Sequence, residues 1–266
     1  MIRIIFSDVD GTLLNSNHVI TPLTRQKILE LEDIPFVIVS GRSPSGIYPI
    51  QQKNGISCPI ISYSGALIQD EKRQVLYQKG MDTALAQEII RFIEKEKLPL
   101  TWCLYSGDQW IVRDRSDPKV RREEAIVEAE SEEGTVRSVP ADQSVHKILC
   151  ICDPGTIGQI ELRIRKMFPQ VNAVKSSGIL LEVMAKGVSK SGAVGFYCQY
   201  LGLSPKDAAA FGDNYNDLDM LAAVGYGVVM GNAPDEIKAQ FAHVTEDNDH
   251  DGIAAELMRI VKLLHS

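Results

Sequence analysis

Short apolar runs separated by amphipathic stretches dominate both ends of the chain, while the middle is patterned differently. IIFS, PFVIVS and PIISYSGAL have the near-continuous apolar character of strands buried on both faces of a parallel sheet. Between them, TPLTRQKILELED has a cap at Thr21, Pro22 in its first turn, and Leu23, Ile28 and Leu31 for one helical face. SPSGIYPIQQKN supplies a second helix. This βαβαβ rhythm predicts an α/β fold with a doubly wound parallel sheet. It returns from Lys190 with helix SKSGAVGFYCQYLGL, strand AAAFGD, helix NDLDMLAAV, strand GYGVVMG and two final helices.

From about Gly80 the pattern changes. DTALAQEIIRFIEKEK reads as a long charged amphipathic helix, and TWCLYS and QWIVRD interchange polar and apolar positions as in an open antiparallel sheet. An acidic helix over VRREEAIVEAESEE, strand VHKILCICD and helix GQIELRIRKMF continue this α+β insert. The expected division is a discontinuous core of residues 1–82 and 186–266 around an inserted domain of residues 83–185. No internal repeat or low-complexity stretch interrupts it.

A length of 266 residues suits one large or two smaller domains. The formal net charge of −7 argues against a nucleic-acid backbone as partner, since that binding depends on Lys and Arg neutralising phosphates. A small phosphorylated ligand is compatible with it, because local cations and a metal can hold one inside an acidic protein. The five cysteines, Cys58, Cys103, Cys150, Cys152 and Cys198, have neither C-x-x-C spacing nor histidines at zinc spacing, and read as core residues of a reducing compartment. With no cleavable leader and no run approaching a membrane span, the expectation is a cytoplasmic protein without a membrane partner. Oligomeric state cannot be read from the sequence.

The first apolar run breaks into Asp8-Val9-Asp10-Gly11-Thr12. Carboxylates at i and i+2 can both face the carboxyl edge of a parallel sheet, where open α/β sheets bind ligands, one to attack and the other to handle protons. Gly11 permits a sharp turn and the Thr12 hydroxyl can hold it. An acidic turn after a strand is the plainer alternative. A calcium loop is excluded, because its register needs Gly and Glu where the chain has Leu13 and Val19. Ser40-Gly41-Arg42 also ends an apolar strand, and its hydroxyl and backbone N–H groups can hold phosphate oxygens, although a strand-to-helix turn accounts for it equally well. Lys190 in GVSKSGAV opens a helix, where its ammonium can meet a phosphoryl oxygen or stay in solvent. Gly212-Asp213-Asn214-Tyr215-Asn216-Asp217 follows the strand DAAAF with oxygen ligands for a hard cation. Asp213 is the best of these, and Asp217 reads equally well as a helix-capping acid.

DVDGT, SGR, the lysine of GVSK and GDNYND stand in the order of the four motifs of the haloacid dehalogenase superfamily phosphotransferases. The chain resembles the Cof-type, sugar-phosphate-phosphatase-like group, which carries a type IIB α+β cap between the second and third motifs. The resemblance extends through ILLEVMAKGVSK, VVMGNAPDEIKAQFAHVT and NDHDGIAAEL. That last segment imitates a calcium loop with Asp247, Asp249, Asp251 and Gly252, but closes on Met258 instead of Glu, so it reads as a loop and helix cap.

The resemblance implies that Asp8 is the nucleophile forming an aspartyl-phosphate and Asp10 the general acid and base. It implies that Ser40 and Lys190 bind the phosphoryl group, with Gly41, Arg42 and Asn216 beside them. Mg2+ would take an Asp8 side-chain oxygen, the Asp10 carbonyl and Asp213, supported by Asn216 and Asp217. The implied activity is hydrolysis of a small phosphorylated metabolite. A phosphomutase of the same fold, or a weakly catalytic regulatory protein, are the alternatives. One departure is Ser64, where the group often has Asn before Gly-Ala, with shorter reach and fewer donors. In the insert, Ser176, Ser177 and Gly178 are candidates for a specificity loop.

Overall fold

The computed structural model describes residues 1–31, 33–140 and 143–264. Glu32, inside the first expected helical window, lies outside them. The described strands, in chain order, are β1 (Ile4–Ser7), β2 (Phe36–Val39), β3 (Ile60–Ser62), β4 (Leu67–Gln69), β5 (Val75–Gln78), β6 (Leu100–Ser106) and β7 (Gln109–Val112). They continue with β8 (Glu132–Glu133), β9 (Lys147–Cys152), β10 (Val171–Lys175), β11 (Leu180–Ala185), β12 (Ala208–Gly212), β13 (Tyr226–Val229) and β14 (His243–Val244). Contacts divide the chain into one unit of Met1–Ser40, Ile47–Leu76 and everything from Ser189 on, and a second of Gly41–Gly46 and Tyr77–Val188.

The sheet that carries β1 has the order β14-β13-β12-β1-β2-β3-β4-β5 among the described residues. From β14 to β3 every pair is parallel. The chain moves from β1 outward to β3 on one side, then re-enters at β12 on the other. Such a reversal is where ligands of open α/β sheets bind, outside the carboxyl ends of the strands. Ile5, Ile38, Ile60, Phe211 and Val228 point to one apolar cluster with Ile253, Leu257 and Ile260 of helix Gly252–Leu264. The first helix, Pro22–Leu29, is capped by Thr21, but Thr24 and Ile28 supply its buried positions while Leu23 is exposed.

PIISYSGAL is a single strand in the sequence reading, and here it is corrected. Its chain reverses after Ser62, so that β3 and β4 are antiparallel with Ser62 opposite Leu67. The reversal uses positive φ at Tyr63 (51°), Ser64 (53°) and Gly65 (108°).

The second unit holds the sheet β10-β11-β9-β6-β7-β8, antiparallel apart from the short β7–β8 pair. Trp102, Leu104, Ile148, Cys150 and Val183 face an apolar cluster with Ile89, Ile93, Ile160 and Ile164 of helices Thr83–Lys95 and Ile157–Met167. The expected helix over VRREEAIVEAESEE is also corrected. The helix is Pro118–Val127, it ends with Glu128 left-handed at φ 52°, and Glu132–Glu133 is β8. The cause is Glu124, whose Oε1 accepts from both the N–H and the hydroxyl of Ser131 at 2.8 Å and turns the chain back.

Candidate active site

β1 is buried over its whole length and its ladder runs one residue further, with the Asp8 N–H donating to the Phe211 carbonyl at 3.0 Å. Asp8 therefore emerges at the carboxyl edge beside the end of β12. Its side chain is buried, and the Lys190 ammonium donates to its Oδ1 at 2.5 Å. Lys190 is the first residue of helix Lys190–Tyr200, behind the N-cap Ser189, whose hydroxyl accepts the Gly192 N–H at 3.0 Å. The same ammonium reaches Asp217 Oδ1 at 2.6 Å, and both of its partners are buried. Asp217 thus acts as a counter-ion as well as a cap. Its other oxygen accepts the N–H groups of Asp213 and Asn214 at 3.1 Å each, closing the turn behind β12.

Asp213 completes the cluster. Oxygens of Asp8, Asp213 and Asp217 lie within 4.8 Å of one another. The Thr12 hydroxyl donates to Asp213 Oδ1 at 2.8 Å, so it bridges to the neighbouring strand end instead of holding its own turn. Gly11 sits between them at φ 81°, where a Cβ would collide with the Asp213 carboxylate. Its carbonyl accepts from the Asn232 amide at 2.8 Å.

The electrostatics follow from one ammonium among three carboxylates. Burial pushes the Asp8 carboxyl well above its usual range, Asp217 and Asp213 add to that, and Lys190 opposes it. Asp213 is pushed up to about 7, first by burial and then by Asp217, against the Thr12 hydrogen bond. For Lys190 burial favours the neutral amine, but Asp217 and Asp8 outweigh it and hold the ammonium above its ordinary range. A buried cluster with excess carboxylate is the donor set that a hard divalent cation balances. The residues present fit that group.

Asp10 is exposed, two residues beyond Asp8, and near enough to Asp213 to help raise it. Ser40 is buried after β2, and its carbonyl accepts the Ser64 N–H at 2.9 Å. The left-handed turn at Tyr63–Gly65 therefore holds the backbone of Ser40. Gly65 packs so closely on the Ser189 carbonyl that an added Cβ would overlap it. Gly65→Ala should destabilise the protein by about 1–3 kcal/mol from overpacking alone, read as a lower Tm. An unchanged Tm would show that the turn can move away from Ser189.

The model of a family described as haloacid dehalogenase-like hydrolase matches residues 5–257. The chain belongs to that family. A Haemophilus influenzae protein named "Putative phosphatase" is 37% identical over 256 residues, 96% of each chain. The crystal structure of a haloacid dehalogenase-like hydrolase from Bacteroides thetaiotaomicron is 26% identical and covers 98% of this chain and 100% of its own, with a TM-score of 0.88. The structure of the subclass IIB sugar phosphatase BT4131 shares the fold at a TM-score of 0.83 and 20% identity, covering 97% of this chain and 98% of its own. The chain is thus a haloacid dehalogenase-like enzyme of the phosphatase type.

Within this hydrolase, Asn216 is half-buried on the one-turn helix Tyr215–Asp217. The Arg42 guanidinium donates to the Gly46 carbonyl at 3.4 Å. Ser176, Ser177 and Gly178 form the turn between β10 and β11, where the Ser177 hydroxyl accepts the N–H groups of Ile179 and Leu180. In the acidic C-terminal loop, Asp247 Oδ1 accepts from the N–H groups of Asp249 and His250 at 2.9 Å, and Asp249 accepts from Ser16 N–H. Around the acidic cluster, three contacts escaped the sequence reading: the Asp217 pairing with Lys190, the Thr12 bridge and the Asn232 strut. Only Asn232 left a sequence signal, because VVMGNAPDE puts a polar loop behind a buried strand.

Proposed function

We propose that the protein is a Mg2+-dependent phosphatase that hydrolyses a small phosphorylated metabolite, a sugar phosphate or related phosphomonoester, through an aspartyl-phosphate on Asp8. The observation that carries this reading is the buried Asp8–Lys190 contact beside Asp213 and Asp217. It supports the reading by joining an ammonium and three carboxylates at one strand edge.

In the first step an Asp8 oxygen attacks phosphorus and the bond to the ester oxygen breaks. Asp10 gives that oxygen its proton. In the second, Asp10 takes a proton from water as the water attacks the aspartyl-phosphate, restoring the Asp8 carboxylate and releasing inorganic phosphate. Lys190 can turn part of its charge from Asp8 to the phosphoryl oxygens, while Asp217 keeps it in place. Ser40, with Gly41 and Arg42, would hold the remaining oxygens, and Asn216 would support the loop that carries Asp213. Asp8, Asp213 and the Asp10 carbonyl would hold the metal. A bound Mg2+ shields the nucleophile from the phosphate dianion, a contribution of several kcal/mol.

The division into a core of residues 1–82 and 186–266 and a cap of residues 83–185 belongs to this reading. A cytoplasmic setting accords with five buried, unpaired thiols. Among the described residues no helix is long and apolar enough to cross a membrane.

The test is phosphate release from a panel of phosphomonoesters, with and without a chelator. Excess chelator should lower turnover by about a hundredfold or more, and Mg2+ should restore it. Full activity in the chelator would remove the metal from the mechanism. An isomerised sugar phosphate without free phosphate would replace the hydrolase by a mutase.

A further inference from the structure

β13 ends in two buried valines, and the chain behind it turns out through Met230-Gly231-Asn232. This loop is anchored on both sides of its strand. The Met230 N–H donates to the Gly212 carbonyl at the end of β12, at 3.0 Å, and the Gly231 N–H to the Glu246 carbonyl behind β14, at 3.1 Å. Asn232 therefore starts from a fixed backbone and reaches to the turn behind β1, where its amide donates to the Gly11 carbonyl at 2.8 Å. A carbonyl can only accept, so the NH2 group faces Gly11, and the amide oxygen is left to accept the Asn248 N–H at 3.2 Å.

The Gly11 carbonyl and the Thr12 N–H belong to one planar peptide. Asn232 holds its oxygen, and the Val9 carbonyl accepts its N–H at 3.3 Å. A peptide gripped at both polar atoms has little freedom to rotate. It carries the Thr12 side chain, whose hydroxyl donates to Asp213 Oδ1 at 2.8 Å. Glycine at position 11 makes the grip necessary. Nothing larger than hydrogen fits between its Cα and the Asp213 carboxylate, and the residue that meets this demand is also the one with the most backbone freedom.

We propose that Asn232 is a positioning residue for Asp213: by holding the Gly11–Thr12 peptide it keeps the Thr12 hydroxyl on Asp213 Oδ1, and so keeps the carboxylate in the orientation that binds a divalent cation. The proposal rests on the reading of Asp213 as a metal ligand. Partners that orient a ligating carboxylate are typically worth about tenfold to a hundredfold in metal affinity.

The experiment compares wild type with Asn232→Leu, Thr12→Val, the double variant of these two, and Asn248→Ala. Leucine keeps the size of the asparagine side chain without its donor or acceptor. Three quantities are read: the Tm of the metal-free protein, the dissociation constant of Mg2+ by calorimetric titration of the metal alone, and the Thr12–Asp213 distance in crystals. Asn232 is exposed, so its replacement should change Tm little. Asn232→Leu should weaken Mg2+ binding by about threefold to tenfold, the range for one neutral hydrogen bond, and Thr12→Val, nearer the ligand, by about tenfold to a hundredfold. Because both act through one contact, the double variant should bind as weakly as Thr12→Val and no weaker. Asn248→Ala cuts the neighbouring tie, the 2.9 Å bond from its amide to the Leu14 carbonyl, but leaves its N–H on Asn232, so it should keep wild-type affinity. The product of the two single losses in the double variant would overturn the proposal. So would wild-type affinity in Asn232→Leu, whatever its Tm, or an equal loss in Asn248→Ala, which would assign the effect to general loosening of the segment. If Asn232→Leu does not fold, Asn232→Ser, too short to reach Gly11, takes its place. Should wild type bind no Mg2+, the metal reading fails by itself, and the crystals still decide: the Thr12 hydroxyl should have left Asp213 in Asn232→Leu, and finding it there at the wild-type distance overturns the positioning.

Discussion

Asp8→Asn should abolish phosphate release from every phosphomonoester, a loss on the order of 10⁴-fold or more, as expected for removing a nucleophile. The amide has the carboxylate's shape but cannot form the phosphoenzyme. The loss should be equal for a sugar phosphate and for p-nitrophenyl phosphate, since no leaving group rescues a missing attack. The fold should survive. Burial and the neighbouring Asp217 and Asp213 already disfavour a charge at this position, and Lys190 keeps Asp217 as partner. A Tm no lower than wild type, with no radiolabel transferred from a phosphorylated substrate, is the full expected outcome. Residual turnover above about one part in a hundred would place the nucleophile elsewhere.

Asp10→Asn should instead separate substrates by their leaving groups. If Asp10 protonates the departing oxygen, kcat/KM for a sugar phosphate falls by roughly 10²–10⁴, because an alkoxide leaves poorly without a proton. The loss for p-nitrophenyl phosphate should be far smaller, since its phenolate leaves unaided. The ratio kcat/KM is the right measure, as it reports events through the first irreversible step and ignores the later work of Asp10 on water. The exposed position of Asp10, beside a cluster that is otherwise buried, suits a group that must reach both an ester oxygen and a solvent molecule. Equal losses for the two substrates would reduce Asp10 to a support of the metal loop.

The acidic cluster was legible where it coincided with a strand end. IIFSDVDGT and AAAFGDN each show a buried run breaking into carboxylates, and the parallel ladder Ser7–Phe211 brings those two breaks side by side. Contacts made by turning against local preference were not legible. PIISYSGAL is apolar throughout and reads as one strand, yet three residues take positive φ because Ser40 and Ser189 constrain the turn from both sides. The acidic helix ended early for a similar reason, since nothing in VRREEAIVEAESEE announces that Glu124 will bind Ser131. The buried pairing of Lys147 with Glu182 was invisible as well. A lysine in an alternating strand reads as a solvent-facing position, and only the strands on either side reveal that it is enclosed.

The strand order has a kinetic corollary. Thr12 and Asp213, which clasp each other across β1 and β12, stand 201 positions apart, and Asp8 and Lys190 stand 182 apart. In free energy this distance is modest, since each doubling of a closed loop adds only about 0.6 kcal/mol. In time it is a large obstacle, because contacts of long range form late. A ribosome must release the chain beyond Asp217 before the last carboxylate can dock, so assembly of the acidic cluster marks completion of the central sheet. Early intermediates can hold Asp8 and Ser40 on neighbouring strands while lacking Lys190, Asp213 and Asp217.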